Sequence, residues 1–388
     1  MFIHSTLIRL AMLGFFKKAT TASLPALLTS KAAQKGVKLT FYQAKVLDVR
    51  RETAESVSVS FDIPDQKVFS FVPGQYLTIK ANIHGEEVRR SYSLCSSPLS
   101  GELRVAIKQV EGGVFSTWAN TQLAAGQTLE IMPPMGQFLL EVEPNEKQTF
   151  VGFAAGSGIT PVMSILKTLL ERAPEAKFIL FYGNRKSNSI LFKSELEDLK
   201  DTYMGRIEVH HVLSREDQGS DALFGRIDQA RATALIDMIP GTKEAAGHFL
   251  CGPEEMIHAV TAALEASGVD KKAIHFELFT AATPAAAPTQ SKDAEKGQAY
   301  VTVVLDGEET HFHQGAKEFV LDAALDAGAD VPYACKGAVC CTCRAKVLEG
   351  EVEMAMNYSL TDEELEEGYV LTCQSMPRSE RVRISYDE

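Results

Sequence analysis

The sequence of 388 residues contains no long hydrophobic run and no excess of basic residues. No apolar stretch reaches the roughly 18 residues that a membrane-spanning helix needs, which argues against an integral membrane protein. The net charge of −12 argues against a nucleic-acid-binding protein, because such proteins normally present a basic face. Cysteine is scarce outside one region, since five of the seven lie between residues 335 and 373. An odd, clustered set is typical of metal ligation in a reducing compartment and predicts a cytoplasmic protein.

Acidic side chains are absent from residues 1–47, which carry seven basic ones. Residues 299–388 hold 18 acidic and 7 basic residues, a net charge of −11. A surface of one sign keeps a domain soluble or steers it towards a basic partner, and both interpretations stay open. Residues 1–18 are apolar and basic but lack the charge order and cleavage site of a signal peptide. They indicate a frayed extension, an amphipathic segment on a membrane or partner surface, or a translation start assigned too early.

Length and composition predict two or three globular domains, at about 150 residues each. Residues 37–144 contain short β-forming segments between Gly and Pro turns, which predicts an antiparallel β-barrel. Residues 145–279 alternate strand and helix, which predicts an α/β domain with a parallel sheet. Residues 280–298 are Ala, Pro, Thr and Ser without a large apolar side chain, and predict a flexible linker. An extension over 1–36 and a C-terminal domain over 299–388 complete the predicted organisation.

The C-terminal cysteines carry the most specific pattern. Cys335, Cys340 and Cys343 follow C-x4-C-x2-C spacing, and Cys373 lies 30 residues further on. This is the plant-type spacing for four thiolates that hold a 2Fe–2S cluster; a zinc site or unrelated thiols are the alternatives. Cys341 is interpreted as a packed small residue. The loop resembles that of the plant-type ferredoxins, which implies an α+β domain of the β-grasp type, although those proteins carry a small or hydroxyl residue where Cys341 stands.

A second pattern lies at the end of a strand in the predicted barrel. Arg90, Tyr92 and Ser93 offer a cation, a flat ring and a hydroxyl, which we expect on one strand face. Such a strand is also typical of a solvated barrel face. The glycine-rich turn at 112–113, which leads into a predicted helix, favours an anion site. These motifs are Arg90-Ser91-Tyr92-Ser93 and Gly113-Val114-Phe115-Ser116.

Together the two motifs resemble the flavin domain of the ferredoxin–NADP reductase superfamily, and the resemblance extends over residues 37–279. It implies that the cofactor is FAD and that Arg90 and Ser116 hold its pyrophosphate. It also implies that Tyr92 packs on the isoalloxazine ring and that Ser93 faces the reactive ring nitrogen. The remaining residues of the two motifs, Ser91, Gly113, Val114 and Phe115, are expected to complete the site.

A third pattern follows a strand of the predicted α/β domain. Gly156 and Gly158 form a G-x-G-x-x-P turn that opens a helix, with Thr160 expected to cap it and Pro161 to take its first position. Free amides and the helix dipole would face a diphosphate, although a glycine-rich turn is often only a tight connection. The same superfamily resemblance implies that Cys251 and Gly252 lie beside the nicotinamide.

The end of the α/β domain carries Glu277 and Phe279. In the family that the chain resembles, an aromatic residue here shields the flavin, and an acid nearby supports proton and hydride movement. The candidate catalytic residues are therefore Ser93, Cys251 and Glu277. An exposed acid and a buried aromatic residue are also common at domain ends.

The predicted nucleotide is NADPH. Ser214 and Arg215 at the end of the third strand resemble the 2′-phosphate clamp of NADP-using reductases, and Arg185 and Arg226 could add positive charge. Glu216 would favour NADH, but it lies beyond the clamp, where it could pair with Arg215.

The order of domains narrows the family further. The stretch from Pro332 to Met354 and the stretch from Gly368 to Ser375 resemble the reductase subunits of phenylacetyl-CoA epoxidases. This implies electron flow from NADPH through FAD and a 2Fe–2S cluster to a di-iron terminal oxygenase. A reductase for a membrane desaturase or another hydroxylase is the alternative, because residues 1–36 are foreign to that pattern. A redox sensor or carrier is disfavoured, since it has no use for a hydride-donor site.

Overall fold

The computed structural model describes residues 39–279, 299–315 and 318–388. The predicted extension, with the surface contact considered for residues 1–18, and the predicted linker lie outside the described residues. Among the residues that are described, no helix has both the length and the apolar character to cross a bilayer. The three large sheets of the described residues form three domains in chain order, which confirms the predicted fold class.

The first sheet forms the barrel domain. Its strands are β1 (Tyr42–Thr53), β2 (Ser56–Phe61), β3 (Tyr76–Ile83), β4 (Glu86–Ser93), β5 (Leu103–Lys108) and β6 (Thr128–Ile131), with helix α1 (Val114–Thr121) before β6. They pair antiparallel in the order β4-β3-β6-β1-β2-β5. A bridge between Leu94 and Val105 joins the two edges and closes the sheet. Alternate apolar side chains fill its interior.

The second sheet forms the nucleotide domain. Its elements are β7 (Thr149–Ala155), α2 (Ile159–Arg172), β8 (Lys177–Asn184), α3 (Lys193–Thr202), β9 (Ile207–Leu213), α4 (Gln229–Met238), β10 (Gly247–Cys251), α5 (Glu254–Ala266) and β11 (Ile274–Glu277). All neighbouring strands are parallel, in the order β11-β10-β7-β8-β9. The chain runs outwards from β7 in one direction and returns on its other side with β10. The boundary between β7 and β10 is therefore a topological switch point, where ligands of open α/β sheets bind.

The third sheet forms the cluster domain. Its elements are β12 (Ala299–Leu305), β13 (Glu308–Gln314), α6 (Val320–Asp326), β14 (Arg344–Glu349), β15 (Val352–Met354), α7 (Asp362–Glu366), β16 (Tyr369–Leu371), β17 (Ser375–Pro377) and β18 (Arg381–Ser385). The main sheet has the order β13-β12-β18-β14-β16, in which β12 and β18 are parallel and the other pairs antiparallel. β15 and β17 form a separate pair.

The cluster domain rests on the barrel domain through the loop that carries the cysteines, here called the cluster loop (residues 335–343). The Thr342 hydroxyl lies 3.2 Å from the Tyr76 hydroxyl and 3.4 Å from the Thr78 hydroxyl, both on β3. At the other end of the contact, the Gln137 amide donates to Glu364 at 2.8 Å. These contacts bring the cluster loop to the same face of the barrel as β4.

Candidate functional site

A cavity of about 600 Å³ lies where the three domains meet. This volume falls within the range of small-molecule and cofactor sites. The cavity brings together residues that were predicted from four separate motifs. Those that line it are Arg90, Ser91, Ser93, Val114, Glu277, Phe279, Cys335 and Cys340.

The arrangement of β4 differs from the prediction. Arg90 is exposed, and its guanidinium donates to the Arg89 carbonyl oxygen at 2.7 Å. Tyr92 instead packs on Phe115 at 5.5 Å, and burial raises the pKa of its hydroxyl. The prediction that Arg90, Tyr92 and Ser93 share one strand face is wrong, because Ser93 is out of phase with the other two. β4 is an edge strand, so side chains from both of its faces line the cavity: Arg90 from one face, and Ser91 and Ser93 from the other.

The start of α1 supplies backbone groups rather than a free hydroxyl. Gly113 precedes the helix, and a Cβ on it would lie 2.5 Å from the Ser116 Oγ. Ser116 is buried; its hydroxyl accepts from the Val110 N–H at 3.1 Å and donates to the Gly113 carbonyl at 3.3 Å. The first N–H groups of a helix have no partner within the helix. The cavity, the Arg90 cation and these amides fit a flavin nucleotide.

Ser93 and Glu277 lie at the cavity wall, and Cys251 is buried behind them. The Ser93 hydroxyl donates to the Glu277 carboxyl at 2.9 Å, and the pairing of β10 with β11 sets Cys251 opposite Glu277. Burial raises the pKa of Glu277 to about 8, and the bond from Ser93 offsets this only in part. Burial, with a contribution from Glu277, raises the pKa of Cys251 well above its ordinary value. At neutral pH all three groups are therefore predominantly uncharged.

Two glycine turns meet at the switch point of the parallel sheet. A Cβ on Gly158 would lie 2.0 Å from the Cys251 carbonyl oxygen, and a Cβ on Gly252 would lie 2.7 Å from a methyl carbon of Met256. Gly158 has no room for a larger residue because it faces backbone atoms, whereas a side chain at Gly252 would require the Met256 methyl group to move. The turns after β7 and β10 are thereby held against each other at the switch point.

The predicted cap of α2 is wrong. The helix begins at Ile159 with Gly158 at its N-cap, because the chain already coils into a single 3₁₀ turn over Gly156–Gly158. Thr160 and Pro161 therefore occupy the second and third helical positions. The Thr160 hydroxyl donates to the Ser157 carbonyl at 2.9 Å.

The predicted NADPH residues meet at the carboxyl edge of the sheet. Ser214 and Arg215 donate through their backbone N–H groups to the carbonyls of Asn184 and Arg185, both at 2.9 Å. These bonds set Arg185 and Arg215 side by side, and both are exposed. Arg226 follows Gly225, whose N–H donates to the Leu213 carbonyl at 3.0 Å, and its guanidinium lies 3.8 Å from the Glu255 carboxylate in an exposed pair.

Glu216 does not pair with Arg215 among the described residues. Its carboxylate accepts from the Ser187 N–H at 2.9 Å and from the Ser187 hydroxyl at 3.0 Å. These hydrogen bonds lower the pKa of Glu216. The acid is therefore engaged with the loop that follows β8.

Sequence reasoning missed two polar groups beside the first glycine turn. Lys108 ends β5, and its ammonium would lie 3.7 Å from a Cβ on Gly156. Burial lowers the pKa of Lys108, and the charge of Arg185 adds to this effect. The side-chain amide nitrogen of Asn184 is buried and has no hydrogen-bond partner within the described part of the chain. A cation, an amide donor without a partner and the free amides of the turn together fit the phosphates of a dinucleotide. The sequence signal that could have revealed Lys108 is a basic residue at the end of a buried strand.

The cluster loop is shaped by left-handed residues. Lys336, Ala338 and Cys341 have φ values of 51°, 62° and 50°, a conformation that residues other than glycine seldom adopt and that costs about 1–3 kcal/mol each. The Cys335 N–H donates to the Cys340 sulfur at 3.4 Å, and the Gly337 N–H donates to the Cys335 sulfur at 3.3 Å. The backbone thus surrounds the sulfurs with donors, as thiolate ligands require.

The four predicted ligands form two pairs. Cys335 lies beside Cys340, and Cys343 lies beside Cys373. Within residues 39–279, 299–315 and 318–388, no three His, Cys, Asp or Glu side chains are grouped to hold one metal ion. Two thiol pairs fit a binuclear cluster with four thiolates. Cys341 is buried, and its thiol donates to the Ser359 carbonyl at 3.2 Å.

Comparison with protein families gives three matches in the same order as the three sheets. Residues 43–139 match the oxidoreductase FAD-binding domain, and residues 153–262 match the oxidoreductase NAD-binding domain. Residues 303–378 match the 2Fe-2S iron-sulfur cluster binding domain. The predicted cofactors FAD, a nicotinamide nucleotide and a 2Fe–2S cluster are thereby confirmed.

Curated relatives match the chain over most of its length. It is 42% identical to a subunit of the 1,2-phenylacetyl-CoA epoxidase of Escherichia coli (strain K12), over 90% of this chain and 98% of that protein. It is 36% identical to the ferredoxin reductase component of 3-ketosteroid-9-alpha-monooxygenase from Rhodococcus rhodochrous, over 87% and 95% of the two chains.

Solved structures share the fold. Phthalate dioxygenase reductase has a TM-score of 0.55 and 22% identity, over 89% of this chain and 98% of its own. An intact type IV self-sufficient cytochrome P450 monooxygenase has a TM-score of 0.63 and 22% identity, and this chain spans only 41% of its length. With the three domain matches and the full-length relatives, the chain belongs to the family of oxygenase reductase components that pass electrons from NAD(P)H through FAD to a 2Fe–2S cluster.

Proposed function

We propose that the chain uses NADPH in preference to NADH and reduces a di-iron oxygenase that acts on phenylacetyl-CoA, in phenylacetate degradation. The observation that carries the electron path is that one cavity is lined by Ser93 and Glu277 together with Cys335 and Cys340 of the cluster loop. When bound, FAD takes a hydride from the nicotinamide and supplies the single electrons that the cluster carries.

The roles of individual residues follow from this arrangement. Arg90 and the amides at the start of α1 bind the phosphates of FAD, with Ser91 beside them. Ser93, Cys251 and Glu277 present an uncharged polar surface to the reacting rings, and Phe279 covers the cavity from the end of the nucleotide domain. Each role is supported by position at the cavity wall or, for Cys251, by its pairing opposite Glu277.

The domain bounds and location belong to the same proposal. The bounds are residues 37–144 for the barrel domain, 145–279 for the nucleotide domain and 299–388 for the cluster domain, with the linker at 280–298. A cytoplasmic location is supported by the cysteines, since all seven are free and a cluster with thiolate ligands suits a reducing compartment.

The NADPH preference is supported by the adjacent Arg185 and Arg215 at the carboxyl edge of β8 and β9. A charge-assisted hydrogen bond contributes about 1.5–3 kcal/mol, or about tenfold to a hundredfold in affinity. Arg215→Ala should therefore weaken NADPH binding by that factor and leave NADH nearly unchanged. Lys147→Ala is the matched control, because it removes an exposed cation next to the opposite end of β7. A parent kcat/KM for NADH equal to or above that for NADPH would contradict the preference.

The partner is tested by reconstitution. The relative that is 42% identical is named as part of 1,2-phenylacetyl-CoA epoxidase, and another relative is named as part of a 3-ketosteroid monooxygenase. Mixing the holoprotein with the oxygenase components of each system, with NADPH as donor, should give product in the first and little in the second. Equal turnover with both oxygenases would contradict the assignment. The chain would then be a reductase without a specific partner, and a membrane hydroxylase would be among the oxygenases it could serve.

A further inference from the structure

Arg89 lies at the contact between the barrel and cluster domains. It is 7% exposed, and its guanidinium donates to Glu87 at 2.7 Å and to Asp330 of the cluster domain at 3.3 Å. The same guanidinium lies over the ring of Phe41, at 5.0 Å, and over the ring of Tyr333, at 4.3 Å. A buried cation thus has an aromatic ring and a carboxylate from each domain around it.

The position of this contact relates it to electron transfer. Arg89 immediately precedes Arg90 at the flavin cavity, and Tyr333 lies two residues before Cys335 in the cluster loop. The rest of the contact consists of hydroxyl pairs at Thr342, one amide–carboxylate hydrogen bond at Glu364 and a small apolar group. Among the described residues of the contact, Arg89 is the buried charged group that binds both domains.

We propose that Arg89 is a positioning residue that holds the cluster loop against the flavin strand and so sets the rate of electron transfer from flavin to cluster. Electron tunnelling slows steeply as the distance between redox centres grows. A planar guanidinium stacks on a ring and binds a carboxylate at the same time, which a lysine ammonium does less well. The proposal rests on the electron path of this family and adds the residue that fixes its second step.

Lys80 provides a matched control. Its ammonium lies 4.3 Å from the centre of the Phe41 ring and 3.8 Å from Glu87, so it shares both barrel-side neighbours of Arg89. Its other ion pair is with Glu130, also in the barrel domain. Replacing Lys80 therefore disturbs the same part of the barrel without removing a contact to the cluster domain.

The experiment measures both electron steps in the full-length holoprotein. After anaerobic mixing with NADPH, stopped-flow absorbance gives the rate of flavin reduction and the rate of cluster reduction, and their ratio is compared. Loss of the stacking and of the ion pair should lower the cluster-to-flavin ratio about tenfold in Arg89→Gln. Arg89→Lys should lie between Arg89→Gln and the parent, and Lys80→Gln should keep the parent ratio. Asp330→Asn should lower the ratio less, and its effect should disappear when Arg89 is already replaced.

Three results would overturn the proposal: an unchanged ratio in Arg89→Gln, an equal loss in Lys80→Gln, or a loss accompanied by a changed reduction potential or electron paramagnetic resonance spectrum of the cluster. The last result would mean that Arg89 acts on the cluster itself rather than on its position. If Arg89→Gln does not fold with its flavin, Asp330→Ala and Tyr333→Leu test the same contact from the cluster domain, and an unchanged ratio in both overturns the proposal.

Discussion

Replacing Glu277 by Gln tests the protonation state of the cavity wall. Burial raises the pKa of Glu277 to about 8, so about nine-tenths of the carboxyls are protonated at pH 7 and about one-tenth at pH 9. A hydride brings negative charge to the cavity, and an ionised Glu277 hydrogen-bonded to Ser93 opposes it. Reduction of the flavin by NADPH should therefore slow about tenfold from about pH 6.5 to about pH 9, with an inflection near the pKa.

Glu277→Gln still offers Ser93 a neutral acceptor but cannot ionise. Its rate of flavin reduction, followed by anaerobic stopped-flow absorbance with saturating NADPH, is expected to stay flat over the same range. Glu265→Gln, an exposed residue on α5, is the control and should keep the inflection of the parent. An inflection near pH 8 that survives in Glu277→Gln would refute the reasoning, because another group would then be titrating.

Three other changes test the remaining parts of the site. Cys335→Ser should lose the cluster but keep reduction of the flavin by NADPH, while Cys341→Ser should keep both; iron content and visible absorbance distinguish them. Gly158→Ala should lower the free energy of unfolding by at least about 2 kcal/mol and abolish flavin reduction by NADPH, because its Cβ would lie 2.0 Å from a carbonyl oxygen. Gly315→Ala is the control, since Gly315 has open space around it, and it should leave both the unfolding free energy and the rate of flavin reduction unchanged. Deleting residues 281–297 should slow reduction of a large oxygenase more than reduction of the chain's own cluster, because a shorter connection restricts the reach of the cluster domain. Equal rates of oxygenase reduction in the deletion variant and the parent would contradict this prediction.

Local patterns predicted most of the fold and the identity of the cofactors. The cysteine spacing and the G-x-G turn are determined by neighbouring residues in the chain, so a single sequence contains them. Gly158 and Gly252 were expected as glycines of nucleotide-binding turns, and the structure adds a tertiary contact as the reason for glycine: each faces atoms that a Cβ would approach closely. The sequence shows that glycine stands at these two positions, but it does not show which atoms of the folded protein lie against them.

Side-chain directions and long-range contacts were not predictable. The Ser116 hydroxyl was expected at a phosphate but is engaged by its own turn. The packing of Tyr92 on Phe115 joins β4 to α1, and the pattern of β4 alone does not reveal that contact. The contact between Arg89 and Asp330 joins residues 241 positions apart, and no local signal connects them.

The sparse contact between the barrel and cluster domains has a consequence for the timing of electron delivery. Domains on one chain meet at an effective concentration in the millimolar range, so a contact too weak for two separate proteins can still be occupied much of the time. Because the contact depends on an ion pair, a few hydroxyls and one amide rather than a large apolar surface, it can also break quickly. Fusion of the domains thus allows brief visits of the cluster to the flavin, and each visit is short enough to leave the cluster free for an oxygenase.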